Sequence, residues 1–303
     1  MTSLAERLRH GPAEQLPPIA ARRHSWRTGF AVFLLVAAGW SLYLLSQNQR
    51  FGWDVVGTYL FAGSVLDGLV LTLWLTVVSM VIGILLGVVL AVMRGSENSV
   101  ISGLASVYIW FFRGVPLLVQ LVFWYNLAAL FPTIGVGVPG VFSVVDLNTN
   151  ALITPVAAAI IGLGLNEAAF MSEIVRAGMR SVAQGQVEAA RSLGMPPHLV
   201  LRRIVLPQAM RLIIPPTANE IVNMLKTTSL VSVLAVADLM YSVQQIYASN
   251  FQTIPLLLVA SIWYLVLTSV LSVGQYFLEK RYSKGEEVRK PRLVRRRAEG
   301  VSG

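Results

Sequence analysis

The sequence predicts an all-α protein, a polytopic transmembrane helical bundle, on three observations. Apolar residues collect in runs of about 20, the length that crosses a bilayer as a helix. Charge is scarce: 13% of the 303 residues are charged and 55% are hydrophobic, against about 25% charged in an ordinary soluble domain. Most of the basic residues that remain lie between the apolar runs and at both ends.

Six runs qualify as spans. The first, Thr28 to Ser46, is bounded by Arg27 and Arg50. It is expected to be a retained anchor helix and not a secretory signal, because more than twenty residues precede it and no small-residue cleavage site follows. The second is Gly68 to Met93. The third, Val115 to Phe131, opens at Pro116, a favoured first-turn residue. The fourth is Ala151 to Val175, and the sixth is Pro255 to Leu278. The fifth, Leu212 to Leu239, is weaker because it contains Glu220 and Lys226. The stretch "PTIGVGVPGVFSVVDLNTN" between the third and fourth is turn-rich and reads as a loop.

Orientation follows from the basic residues. Six spans put both termini on one side. Assigning that side to the cytoplasm also places Arg94 and the Arg-rich centre there, leaving only Arg50 among the Lys and Arg of the opposite segments 47–65, 132–150 and 240–254. This is the asymmetry expected of a multi-pass cell-membrane protein. A basic N-terminal tail, 1–27, precedes the extra helix 28–46. A second basic tail, 284–303, reads as a solvated, disordered end.

Composition also excludes classes of function. Without cysteine there is no disulfide, iron–sulfur cluster or thiolate zinc site, and the three histidines, His10, His24 and His198, fall in three separate polar segments. No metal site and no catalytic constellation is expected. The net charge of +9 is explained by the tails and loops, so no nucleic-acid partner is inferred. No G-x-x-x-x-G-K-[ST] string occurs, so the chain has no phosphate-cradling loop.

The stretch "VEAARSLGMPPHLVLRRIVLPQAMR", Val187 to Arg211, stands apart. It is basic and too polar to cross a bilayer. It reads as two short helical pieces broken at Gly194 and Pro196–Pro197 and stopped at Pro207. Glu188, Ala189 and Ala190 would form a small, approachable ridge, and Gly194 lets the backbone reverse without steric cost. An amphipathic connector on the headgroups is the competing reading, but small side chains and a carboxylate make a poor membrane anchor.

Glu188-Ala189-Ala190, three residues, Gly194, nine residues, Ile204, one residue and Leu206-Pro207 resemble the EAA signature of permease subunits of ABC-type importers. "FFRGVPLLVQL", "AAFMSEIVRAGMRSVAQGQVEAARSLGM", "RRIVLPQAMRLIIPPTANEIVNMLKTTSLVSVLA" and "FLEKRY" are similar to the polar amino acid uptake subgroup. The similarity covers residues 62–283, a five-span permease core to which the first helix is an addition. Val115, Phe170 and Thr227 depart from the usual pattern. The resemblance implies that residues 188–200 form a cytoplasmic coupling helix docking on a separate ATP-binding subunit, with Glu188 and Gly194 most sensitive to change. It also implies that ATP and Mg²⁺ reside on that partner and that no cofactor is bound by this chain. A second permease subunit, identical or paralogous, and an external solute-binding protein are the further partners implied.

Ionisable groups inside apolar spans are costly and usually face a bundle interior or a water-filled path. The candidates for a solute pathway are Asn166 and Glu167 in the fourth span and Glu220, Asn223 and Lys226 in the fifth. Asn166, Phe170 and Glu173 share one helical face. For Glu173, with Arg176, and for Glu220, pairing with basic residues to fix helix packing is the alternative. Arg113 and Lys226 point to an acidic solute, Glu167 and Glu220 to a basic one. An ion-coupled secondary transporter or channel is the rival function, for which an internal inverted repeat is expected and none is visible.

Overall fold

A computed structural model describes residues 25–138 and 142–282. Most of both tails, 1–24 and 283–303, lies outside the described residues. The chain divides into two compact units, Met1–Phe51 and Gly52–Gly303. The first contains α1 (Ser25–Gln47), which covers the expected extra span, and a short 3-10 turn over Gln49–Phe51.

The second unit begins with α2 (Trp53–Tyr59) and α3 (Gly63–Arg94). It continues through α4 (Ser99–Gly114), α5 (Leu117–Tyr125) and α6 (Leu127–Leu130) to strands β1 (Thr133–Val138) and β2 (Phe142–Asn148). Next come α7 (Thr149–Leu152), α8 (Pro155–Arg180), α9 (Gln184–Ser192) and α10 (Pro197–Val200). A π turn over Leu201–Val205 leads into α11 (Leu206–Thr227), a 3-10 segment (Thr228–Leu234), α12 (Leu239–Asn250) and α13 (Thr253–Tyr282).

Helices α1, α3, α8 and α13 are each long and apolar enough to cross a membrane, and two bent pairs raise the possible count to six. The six runs read from the sequence fall on these four helices and the two bent pairs, with different bounds. The expected third span, Val115 to Phe131, is not one straight helix: it starts at a break where α4 and α5 meet at 101°. Pro116 causes the break, since the residue before a proline is driven out of the helical region and Val115 is extended, φ −92° and ψ 130°. The freed carbonyls are recovered by Gln120, whose buried amide donates to Phe112 O at 3.0 Å and Val115 O at 2.8 Å.

The fifth span differs in the opposite sense. Residues 197–234 form one continuous helical rod, bent by 46° from α12. Pro207 does not stop it. A proline lacks the N–H for an i→i−4 bond and its ring crowds the carbonyl one turn back. The preceding π turn, closed by the bond from Leu206 N to Leu201 O, widens the helix where that ring must fit. Pro215 and Pro216 also lie inside the rod.

The expected loop after the third span is an antiparallel hairpin, with Thr133 opposite Asn148 and a register irregularity between Val136 and Gly137. Among the described residues this pair of strands is the one departure from helix and turn. At its base Thr149 N donates to Pro132 O at 3.0 Å, and the Asn148 side chain caps α7 by accepting from Asn150 N at 2.9 Å.

Helices α3 and α8 form the spine of the second unit and run in the same direction. Gly83 and Gly87, one turn apart on α3, let the two backbones approach. A Cβ on Gly83 would lie 2.5 Å from Glu167 Cγ, and one on Gly87 would lie 2.5 Å from Met171 Cβ and 3.1 Å from Ala168 O. Gly164 of α8 answers them: a Cβ there would lie 2.9 Å from Ile82 Cγ2. Small residues four apart are the usual means of close helix packing in lipid, where apolar burial alone gives no driving force. One apolar cluster, with Leu75, Leu121, Leu163, Val231 and Leu234, lies along this spine. A second gathers Val65, Leu239, Val243, Leu256 and Val259.

Replacing Gly87 by Val is expected to weaken the fold by about 1–3 kcal/mol, the usual cost of overpacking. Gly103→Ala, on a helix where a Cβ meets nothing within 4 Å, should be neutral or slightly stabilising. Thermal unfolding of the detergent-solubilised protein measures both.

Candidate functional site

The cassette is a helix–turn–helix whose geometry is set by one glycine. Gly194 has φ +78°. It ends α9 in a Schellman turn: Gly194 N donates to Arg191 O at 2.9 Å and Met195 N to Ala190 O at 3.1 Å. A Cβ at Gly194 would meet nothing within 4 Å, so glycine is required by backbone conformation and not by space. Pro196 and Pro197 then open α10. The helix implied over 188–200 is thus two limbs separated by residues 193–196.

The two limbs and the start of the rod form one body. Ala190 and Val200 are buried, and Gln208 Nε2 donates to Gln186 Oε1 at 2.7 Å. Glu188 and Ala189 point outward, with Gln184 Nε2 donating to Glu188 Oε1 at 2.8 Å. Of the three alanine-ridge residues, Ala190 therefore serves the cassette's own packing and Glu188 and Ala189 present its surface. Leu193 completes that surface at 84% exposed. Sequence reasoning missed Leu193; a large apolar residue at the tip of a polar turn was the available signal.

The predicted interior residues divide into three groups. Asn166 is already engaged: its side chain donates to Phe112 O at 2.8 Å, at the α4–α5 break. Glu167 is 5% exposed, packed over Gly83, and its Oε1 has no hydrogen-bond partner. Glu220 is half-buried and is its electrostatic neighbour; Asn223, one turn further along, is also half-buried, and Lys226 is exposed.

Glu173 behaves differently. It accepts from Arg94 at the end of α3 and from Arg176, whose Nε lies 3.1 Å from Oε2. These are the two ion pairs among the described residues, and both fall on one carboxylate. Glu220 has no such partner there, so the pairing expected for it is not found, while that of Glu173 is. Arg113 lies over the Phe170 ring at 5.3 Å from its centroid, a cation–π placement. Arg94, Ser106, Trp110, Arg113, Phe170 and Glu173 border an open cleft of about 460 Å³. The Arg94–Glu173 pair was not foreseen, because Arg94 reads from sequence only as the flank of a span.

Residues 83–284 match the family described as "Binding-protein-dependent transport system inner membrane component". The arginine transport system permease protein ArgU of Corynebacterium glutamicum is 45% identical over 284 residues, covering 92% of this chain and 88% of that protein. That coverage exceeds the second unit alone, so part of the N-terminal unit has a counterpart there. The L-cystine transport system permease protein TcyB of Bacillus subtilis is 34% identical over 245 residues, covering 80% of this chain and 97% of its own. Among solved structures, an amino acid ABC transporter with histidines is 34% identical, with a TM-score of 0.62 over 72% of this chain and 94% of that one. The MetNI methionine ABC transporter, inward facing, shares the fold at 17% identity and a TM-score of 0.57. Sequence, fold and relatives agree: the chain belongs to the inner membrane components of binding-protein-dependent transport systems, as a multi-pass permease of the amino acid ABC transporter type.

Proposed function

We propose that this chain is the membrane gate of an ATP-driven importer for a polar amino acid, working by alternating access. The observation that carries the coupling assignment is the exposed ridge of Glu188, Ala189 and Leu193, held at a glycine-dependent turn. A separate ATP-binding subunit grips this ridge from the cytoplasm and carries the ATP and Mg²⁺; this chain catalyses nothing itself. ATP-driven closure of the partner subunits draws paired permeases toward the outward-open state, and an external binding protein delivers the solute. The second permease is a copy or a paralogue. Both termini lie in the cytoplasm.

The solute class follows from the interior charge. Glu167 and Glu220 have no cationic partner among the described residues, whereas Arg94 is bound to Glu173 and Arg113 stacks on Phe170. Two acidic side chains without a basic partner in a membrane interior favour a cation between them. A cationic amino acid supplies it, with Asn223 and Lys226 further along the same helix. The arginine assignment of the Corynebacterium glutamicum relative supports this reading.

Glu188→Arg should release the ATP-binding subunit from the detergent-purified complex while the permease stays folded; undiminished co-purification would refute the docking site. A cysteine at Ser192, unique in a chain that has none, should react with an impermeant thiol reagent only in inverted vesicles. Glu220→Gln should lower arginine uptake by about tenfold, equivalent to about 1.4 kcal/mol. An unchanged rate would remove the charge argument for the solute.

A further inference from the structure

The rod 197–234 joins two places that function must connect. One end belongs to the cassette, through Val200 and the Gln208–Gln186 bond. Further along, the same rod carries Glu220 and Asn223. Between them it crosses α8 at one tight point. A Cβ on Gly178 would lie 2.4 Å from Ile213 Cγ1, 3.0 Å from Ile213 Cδ1 and 3.1 Å from Ala209 O. Ala209 is fully buried and Ile213 nearly so, and Met171 and Val175 of α8 pack in the same cluster.

We infer that the Gly178 crossing is the fulcrum of a lever that delivers cassette motion to the polar interior, and that Gly178 is a positioning residue for transport. The inference rests on the docking of the ATP-binding subunit at the cassette. The arms are unequal. At 1.5 Å per residue, Pro197 lies about 24 Å from Ile213, and Glu220 about 10 Å on the other side. A rod rigid through Ile213 would deliver a cassette displacement to Glu220 reduced by about half and reversed in sense, and the joint described next sets this as the upper bound.

The joint is built beside the fulcrum. Pro215 and Pro216 remove two successive backbone donors, leaving the carbonyls of Arg211 and Leu212 without their i+4 partners. A helix bends where its ladder is interrupted this way. The crossing determines where the rod turns and the prolines determine where it yields, and the two coincide within one turn. The middle of α8, from Glu167 to Glu173, is held by the spine with α3 at Gly83, Gly87 and the Arg94–Glu173 pair, so α8 is the support against which the rod can pivot.

The test uses the assembled complex and a reporter that does not depend on the solute. With Asn223→Cys as the single thiol, ATP should change the rate of labelling by a small thiol reagent about fivefold or more, a shift within the usual coupling range. Gly178→Ala should abolish that change while the ATP-binding subunit still co-purifies and still hydrolyses ATP. Adding Ile213→Ala, which removes the two closest obstructing atoms, should restore it; misfolding would not be rescued in this way. The lever is overturned by an ATP-dependent change that survives Gly178→Ala, by a double variant that does not recover, or by a docked, active complex in which Asn223→Cys never responds. If the unmodified protein captures no ATP-binding subunit, the docking assignment fails instead.

Discussion

The close approach of α3 and α8 is the constraint on which the second unit depends. Lipid tails are as apolar as leucine side chains, so burial alone does not hold two membrane helices together. Contact must come from packing at short range, and only glycine permits it at Gly83, Gly87 and Gly164. Gly162 extends the contact to α5, where an added Cβ would lie 2.7 Å from Leu121 Cδ2, and Gly178 extends it to the rod. Three elements, α3, α5 and the rod, are thus indexed to α8 by the absence of side chains.

A second theme is the repair of broken helices by buried polar groups. The interior has no water with which to satisfy a freed carbonyl or amide. Gln120 and Asn166 therefore close the α4–α5 break on Phe112 O. At the start of α12, Thr72 of α3 accepts from Leu239 N at 3.0 Å and Asp238 accepts from Tyr241 N at 2.9 Å. Gly68 lets Asp238 O come close. Against this background Glu167 and Glu220 stand out because they repair nothing.

The cassette and the interior are related by continuity of the backbone and not by a chain of side-chain contacts. A single helical rod runs from the turn at Gly194–Pro196 to the 3-10 segment. The π turn before Pro207 keeps it unbroken where a plain α-helix would be strained. Under the proposed function, motion at one end then has a defined consequence at the other.

Local chemistry made much of this legible in the sequence. Bilayer-length apolar runs specified the helical class, since backbone groups in lipid must be satisfied within the segment. Gly194 marked its turn because only glycine adopts that conformation freely, and the fixed spacing of Glu188, Ala189, Ala190 and Gly194 carried the family resemblance. What the sequence could not decide was partnership. Whether Pro116 breaks a span while Pro207 does not depends on a glutamine three-dimensionally near one and a π turn before the other. That Asn166 and Glu173 are engaged while Glu167 and Glu220 are free depends on which atoms of α3, α4 and α11 arrive beside them. The hairpin at 133–148 was unreadable because short Gly- and Val-containing strands look like turn until they pair. Composition determines which groups are costly to bury; only the packed structure determines which of them find a partner.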